Sequence, residues 1–231
     1  MKRVLQYVSD IHVDYLHHSK LPRLKALSPH LLICGDIGNP KHPNFSTFLK
    51  NIKSDFDKIY FVPGNHEYDT SSCFSSTKAV EFKSFLYENL DKYNINLLDC
   101  SHYEIDKDTV IGGCTLWSNP SKNLYNISKE RYNEHIMLHR FEKDWLSAFI
   151  NKYSNKKIII GTHFVHTPKL IEKKYYINNE PSDWFHTNLE EMIKSPVIGW
   201  FCGHTHSNIE ININDVICGV NYGFKEKTFI Y

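Results

Sequence analysis

Asp10-Ile11-His12, Gly35-Asp36, Gly64-Asn65-His66-Glu67, Thr162-His163 and Gly203-His204-Thr205-His206 are the segments of this chain whose residue types do chemistry. Asp10, His12, Asp36, Asn65, His163, His204 and His206 offer carboxylate, amide and imidazole donors. Such a mixed oxygen and nitrogen set suits manganese, iron or zinc better than calcium, which takes oxygen ligands. Each segment begins where a short apolar run stops: residues 4–8, 31–34, 59–62, 157–160 and 197–202. A polar residue at one strand end means little, because most strands end that way. Five donor-bearing ends in one chain point to a shared cation site.

The elements that must position these residues follow from the same pattern. Runs of four to six apolar residues, rich in β-branched and aromatic types and bounded by Gly or Pro, read as buried strands. Between them lie stretches with helical periodicity. Residues 45–56 carry Phe45, Phe48, Leu49, Ile52 and Phe56, and residues 78–93 carry Phe82, Phe85, Leu86 and Leu90. Residues 128–153 carry Met137, Phe141, Trp145 and Phe149 at four-residue steps, and a shorter helix is expected over 188–194. Strands alternating with helices make a layered α/β domain. In such domains, residues just past the carboxyl ends of buried strands converge on one sheet edge. The tail reads differently: Ile209, Ile211 and Ile213 alternate with polar residues, Asn214-Asp215 makes a turn, and 216–220 returns. That pattern predicts an antiparallel C-terminal hairpin, with a last strand over 228–231. Residues 169–186 are expected to be an irregular surface segment.

A length of 231 residues suits one domain over 1–231. The formal net charge of +1 argues against a general polyanion binder. No apolar stretch approaches the ~20 residues of a membrane span. The start, Met1-Lys2-Arg3, lacks the long apolar core of a secretory leader, so a cytoplasmic location is expected. The six cysteines show no compact metal spacing and are expected to be free thiols, with Cys34, Cys114 and Cys202 buried.

The five motifs, in this order across residues 10 to 206, resemble the calcineurin-like metallophosphoesterase superfamily. Residues 112–117 (Gly-Gly-Cys-Thr-Leu-Trp) are similar to a strand of its small cytosolic members. The resemblance implies an α-β-β-α sandwich of mixed sheets that hydrolyses phosphomono- or phosphodiester bonds with a hydroxide activated by two divalent metals, manganese favoured over iron or zinc. It also implies a ligand partition. Asp10, His12 and His206 would hold one metal, Asn65, His163 and His204 the second, and Asp36 would bridge both. His66 would be the catalytic residue that contacts the phosphate and protonates or stabilises the leaving oxygen.

The chain departs from several branches. Gly35-Asp36 continues as Ile37-Gly38-Asn39, without the arginine of the Ser/Thr protein phosphatases or the tyrosine of the purple acid phosphatases. His163 is followed by Phe164, where many phosphodiesterase members have a second histidine. Two rival readings stay open. One is a non-catalytic scaffold that binds a partner through Tyr175, Tyr176 and Trp184; the other is a nuclease served by Lys169, Lys173 and Lys174. The substrate is expected to be a small or macromolecular phosphoester, with nucleic acid not favoured and no membrane partner. Among the remaining histidines, His135 and His139 are expected on a surface helix face, and His17 and His18 in a solvated loop. Asp14 could orient His12, and His166 could reach substrate or be a loop histidine.

Overall fold

The computed structural model describes residues 3–18, 21, 23–70, 73–121 and 126–231. Met1 and Lys2, part of the leader reading, lie outside them. In chain order the strands are β1 (Val4–Val8), β2 (His30–Cys34), β3 (Lys58–Val62), β4 (Asn96–Leu97), β5 (Ser101–Asp106), β6 (Thr109–Cys114), β7 (Lys157–Thr162), β8 (Tyr176–Ile177), β9 (Glu180–Pro181), β10 (Val197–Cys202), β11 (Asn208–Ile213), β12 (Val216–Asn221) and β13 (Thr228–Ile230). The helices are α1 (Pro43–Asp55), α2 (Ser76–Lys92) and α3 (Lys129–Lys152).

The apolar runs are buried on both faces, so each strand needs a cover on two sides. In β2, Leu31 and Ile33 face the helices while Leu32 and Cys34 face the opposite sheet. β7 repeats this: Ile158 and Ile160 point to one layer and Ile159 to the other. The result is two sheets packed face to face with helices outside. One has the order β13-β1-β2-β3-β4 and the other β11-β12-β10-β7-β6-β5. Between them lie Leu5, Tyr7, Leu32, Tyr60, Val62, Ile159 and Phe201. Phe45, Phe48, Leu49 and Ile52 of α1, with Leu86 and Leu90 of α2, cover the first sheet. Leu146 and Phe149 of α3 cover the second. This is the expected α-β-β-α sandwich of mixed sheets.

Local signals agree with the elements. Pro43 opens α1, and His42 caps it by accepting the Asn44 N–H at 3.2 Å. Asn214 and Asp215 both have positive φ, 50° and 65°, as a two-residue type I′ hairpin between β11 and β12 requires. At Gly161 the sheets approach so closely that a Cβ would stand 2.9 Å from Leu32 Cδ1 and 3.0 Å from Val62 Cγ2.

Other expectations need correcting. On α3, Met137 and Phe141 are 68% and 60% exposed. The buried face is His135, His139, Glu142, Leu146 and Phe149. His135 and His139 are therefore core residues, not surface ones. Polar residues can occupy that face because each finds a partner: Glu142 accepts the Trp117 N–H at 2.8 Å, and His139 Nδ1 donates to the Trp117 carbonyl at 2.6 Å. Over 188–194 there is only a 3-10 turn, Glu190–Met192. The strand expected near 112–117 runs Thr109–Cys114, with β5 as an antiparallel neighbour that its weak alternation concealed. The segment 169–186 is less irregular than expected, since it holds the β8–β9 pair, and Trp184 is fully buried against Tyr132 and His135.

Candidate metal centre

β1, β2 and β3 are parallel in one sheet, and β7 and β10 are parallel in the other. Their carboxyl ends lie at the same edge of the sandwich. The first sheet delivers Asp10, His12, Asp36, Asn65 and His66 there, and the second delivers His163, His204 and His206. One bond ties the loops together across the sheets, and a second ties the two loops of the second sheet to each other. His163 Nδ1 donates to the Cys34 carbonyl at 2.8 Å, and the Gly203 N–H donates to the His163 carbonyl at 2.9 Å.

The donor atoms converge in two groups. In one, His12 Nε2 lies 3.0 Å from His206 Nε2, and His206 Nε2 lies 3.6 Å from Asp10 Oδ1. In the other, His163 Nε2 lies 3.0 Å from Asn65 Oδ1 and 3.3 Å from Asp36 Oδ2. Asp10, His12 and His206 bring donor atoms within 4.8 Å of one another, as do Asp36, His163 and His204. Asp36 also groups with His12 and His66, so its carboxylate faces both sides.

Hydrogen bonds behind several of the donors aim them. The His163 bond to Cys34 places the proton on Nδ1 and turns Nε2 toward the site. Asn65 Nδ2 donates to the Thr70 carbonyl at 3.0 Å, so the amide oxygen and not the nitrogen faces His163. The His204 N–H donates to both Asp10 oxygens at 2.9 and 3.0 Å, and the His66 N–H donates to Asp36 Oδ1 at 2.9 Å. Gly64 and Gly203 are required by this closeness. A Cβ on Gly64 would stand 2.2 Å from Asp36 Oδ1, and one on Gly203 would stand 2.7 Å from Asp10 Oδ2.

The charge state of these groups suits a cation. Burial holds His12 down to about 4, and it also holds His204 and His206 below the ordinary histidine range. They are neutral imidazoles with lone pairs to give, the form a metal requires. Burial pushes Asp10 up to about 7. Burial would likewise raise Asp36, but the charge and hydrogen bond of His163 outweigh it and hold that carboxylate well below its usual range. The same pair carries His163 up to about 9 against the effect of burial. Among the described residues, the ionic partners of Asp10 and Asp36 are imidazoles, with no lysine or arginine. Two buried carboxylates with no lysine or arginine beside them, facing three neutral imidazoles and a His163 whose proton a metal can displace, fit a pair of divalent ions.

Glu67 is a residue that motif reading named but gave no role. It is fully buried, and its two oxygens accept four backbone N–H bonds: Ile37 and Gly38 at 2.8 and 3.1 Å, Asp36 and Gly64 at 2.9 and 2.6 Å. It pins the loop carrying Asp36 to the loop carrying Asn65. Its place two residues after Asn65 was the available signal. Phe164 is also informative. Its ring packs on His204 at 4.0 Å, within a buried group with Tyr68 and Trp117, so it walls the site where a second histidine was a possibility.

The secondary candidates do not join the site. Asp14 makes no bond to His12; its Oδ2 accepts the Asn39 N–H at 3.3 Å, and both Asp14 Oδ1 and His12 Nδ1 are buried without a hydrogen-bond partner. His166 is fully buried, stacked on Trp200 at 4.4 Å, and so does not reach the opening. His17 and His18 are exposed, and His18 Nδ1 contacts Asn44 Oδ1 at 2.8 Å. Among the described residues no disulfide forms, and Cys34, Cys114 and Cys202 are buried as expected. No helix among them is long and apolar enough to cross a membrane.

Comparison with known proteins agrees with this geometry. The family model described as calcineurin-like phosphoesterase matches residues 7–208. Uncharacterized protein L509 of Acanthamoeba polyphaga mimivirus is 30% identical over 257 aligned positions, covering 95% of this chain and 90% of that relative. Among solved structures, the phosphopantetheinyl hydrolase of Mycobacterium tuberculosis superposes with a TM-score of 0.71 at 16% identity, over 96% of this chain and 90% of that one. A dimetal phosphatase from Danio rerio superposes with a TM-score of 0.58 at 11% identity, over 97% of this chain and 88% of that one.

Proposed function

The chain belongs to the calcineurin-like phosphoesterase family and is a metal-dependent phosphoester hydrolase, and from that premise we propose that it cleaves phosphomono- or phosphodiesters at a dinuclear centre built around Asp36. The observation that carries the proposal is the meeting of two donor groups on that one carboxylate. Asp10, His12 and His206 would hold one ion, and Asn65, His163 and His204 the other. A divalent pair, when bound, supplies Lewis acidity and activates water as the nucleophile. Neutral Asn65 and the neutral imidazoles keep the ligand set from cancelling the positive charge that draws in a phosphate anion.

His66 fits the remaining role. Unlike Asp36 and His163 it is partly exposed, and its Nε2 lies 4.0 Å from Asp36 Oδ2. Its backbone bond to Asp36 places the ring at the mouth of the site, where it would hold a proton for the leaving oxygen. We favour manganese on the mixed donor set. The rival roles find less support. Trp184 is buried and offers a partner nothing, while Lys169 and Lys174 are paired with Glu190 and Glu172 instead of lining a basic path.

The test is turnover of nitrophenyl phosphate and bis-nitrophenyl phosphate by protein stripped of metal and then reloaded with manganese, iron or zinc. Activity restored by metal supports the proposal, and absence of turnover of either ester with all three metals overturns it.

A further inference from the structure

The rim of the centre carries aromatic rings that packing does not explain. Tyr15 ends the turn that follows His12 and is 72% exposed. A ring left that far in water gains little from burial. It nevertheless lies stacked on His12, with ring centres 5.7 Å apart, and meets the His66 ring edge-on at 6.0 Å. Tyr222, also exposed, stacks nearly flat on His206 at 4.7 Å. The His12 and His206 rings are themselves 4.9 Å apart, so the two tyrosines bracket this histidine pair. Tyr15 is the ring that reaches His66, the side from which the leaving oxygen departs.

Among the described residues, Lys174 and Lys78 already have acidic partners. Lys174, whose charge reaches His206, lies 3.4 Å from Glu172, and Lys78 lies 2.7 Å from Asp69. Further phosphates or an acidic peptide would call for free cations beside the centre. A planar, uncharged ring calls for flat aromatic faces, on which it stacks. We propose that Tyr15, with Tyr222 across the histidine pair, is a platform for a planar ring on the alcohol side of the substrate. The preferred substrates are then phosphoesters of aryl or nucleoside alcohols, not of alkyl alcohols or phosphoproteins. This inference rests on the hydrolase reading above.

Binding separates the two ideas without relying on turnover. Manganese-loaded full-length protein is titrated calorimetrically with phenylphosphonate and with methylphosphonate, which share the anion and differ in the ring. The wild type is expected to bind the phenyl compound about tenfold more tightly, the low end for one stacked ring at an exposed site. Tyr15→Ala should bring the two affinities together, and Tyr15→Phe, which keeps the ring, should restore the difference. Metal analysis showing two manganese ions in Tyr15→Ala confirms that the centre is intact. Equal affinities in the wild type, or a preference that survives in Tyr15→Ala, overturn the platform alone. Binding of neither phosphonate overturns the platform and the hydrolase reading together.

Discussion

His135 offers a quantitative test of the core, because its two nitrogens have opposite duties. Nδ1 accepts the Phe74 N–H at 3.0 Å, so it carries no proton, and Nε2 points to Ser118 Oγ at 3.3 Å. The ring is wedged between Trp117 and Trp184, 5.6 and 5.8 Å away. Burial holds it down to about 4, against 6.5 for a free histidine. The folded state thus refuses a proton that the unfolded chain accepts. A depressed value of this kind leaves stability untouched above pH 6.5 and removes it as the pH falls toward about 4. Between pH 7 and pH 4.5 the loss works out at about 2 kcal/mol, at 1.36 kcal/mol per pKa unit. His135→Asn keeps an acceptor near the Nδ1 position and cannot titrate. It should be less stable than wild type at pH 7, because the ring contacts are gone, but the gap should narrow by about 2 kcal/mol at pH 4.5. Urea unfolding of both metal-free proteins at the two pH values measures this. Parallel pH dependence would show that His135 charges freely and that its buried, hydrogen-bonded placement is wrong.

Three further outcomes test the centre itself. His66→Ala should keep both metals yet lower kcat by ~10²–10⁴-fold for an alkoxide leaving group and by much less for nitrophenolate; an equal loss on both would make His66 structural. Asn65→Ala should weaken one manganese site far more than the other in a metal titration, since its amide oxygen faces only the His163 side, and equal weakening would refute the partition. Manganese affinity should fall as the pH drops below about 9, by up to about tenfold per unit for each proton displaced, because the metal must displace the proton of His163 and, nearer pH 7, that of Asp10 as well; an affinity that is flat from pH 6 to 8 would refute it.

Much of the site was legible because its donors fall at strand ends, where a continuous apolar run breaks sharply. The runs before Asp10, Asp36, Asn65, His163 and His204 each became a central parallel strand. Parallel strands covered on both faces are near-continuously apolar, and that makes them visible. β5 escaped notice for the converse reason: as an edge strand its residues are mostly half-buried, so His102, Tyr103 and Glu104 give no clean alternation. The α3 stripe misled because apolar type was taken as a proxy for burial. Its buried polar residues earn their place through partners distant in sequence, such as Trp117, 25 residues from Glu142. Glu67 belongs to the same class. Its partners are backbone N–H groups, which no side-chain pattern displays.

The backbone explains why these loops need such bracing. Asp10, His12, Asp36, His204 and His206 all have positive φ, between 46° and 69°, a region that residues with a Cβ enter at a cost of ~1–2 kcal/mol each. Five together approach the scale of a domain's whole net stability. They persist because bonds hold them from several sides. The Asp10 N–H donates to Gly35, the His12 N–H to Asp36 and the His204 N–H to Asp10, while Glu67 clamps the Asp36 loop. Asp10 and His12, both left-handed, serve one donor group, whereas left-handed His204 and His206 each serve a different one. The strand ends thus bring the right residue types to one edge of the sandwich. The strained backbone, held by carboxylates and carbonyls behind it, aims them at a common centre before any ion arrives.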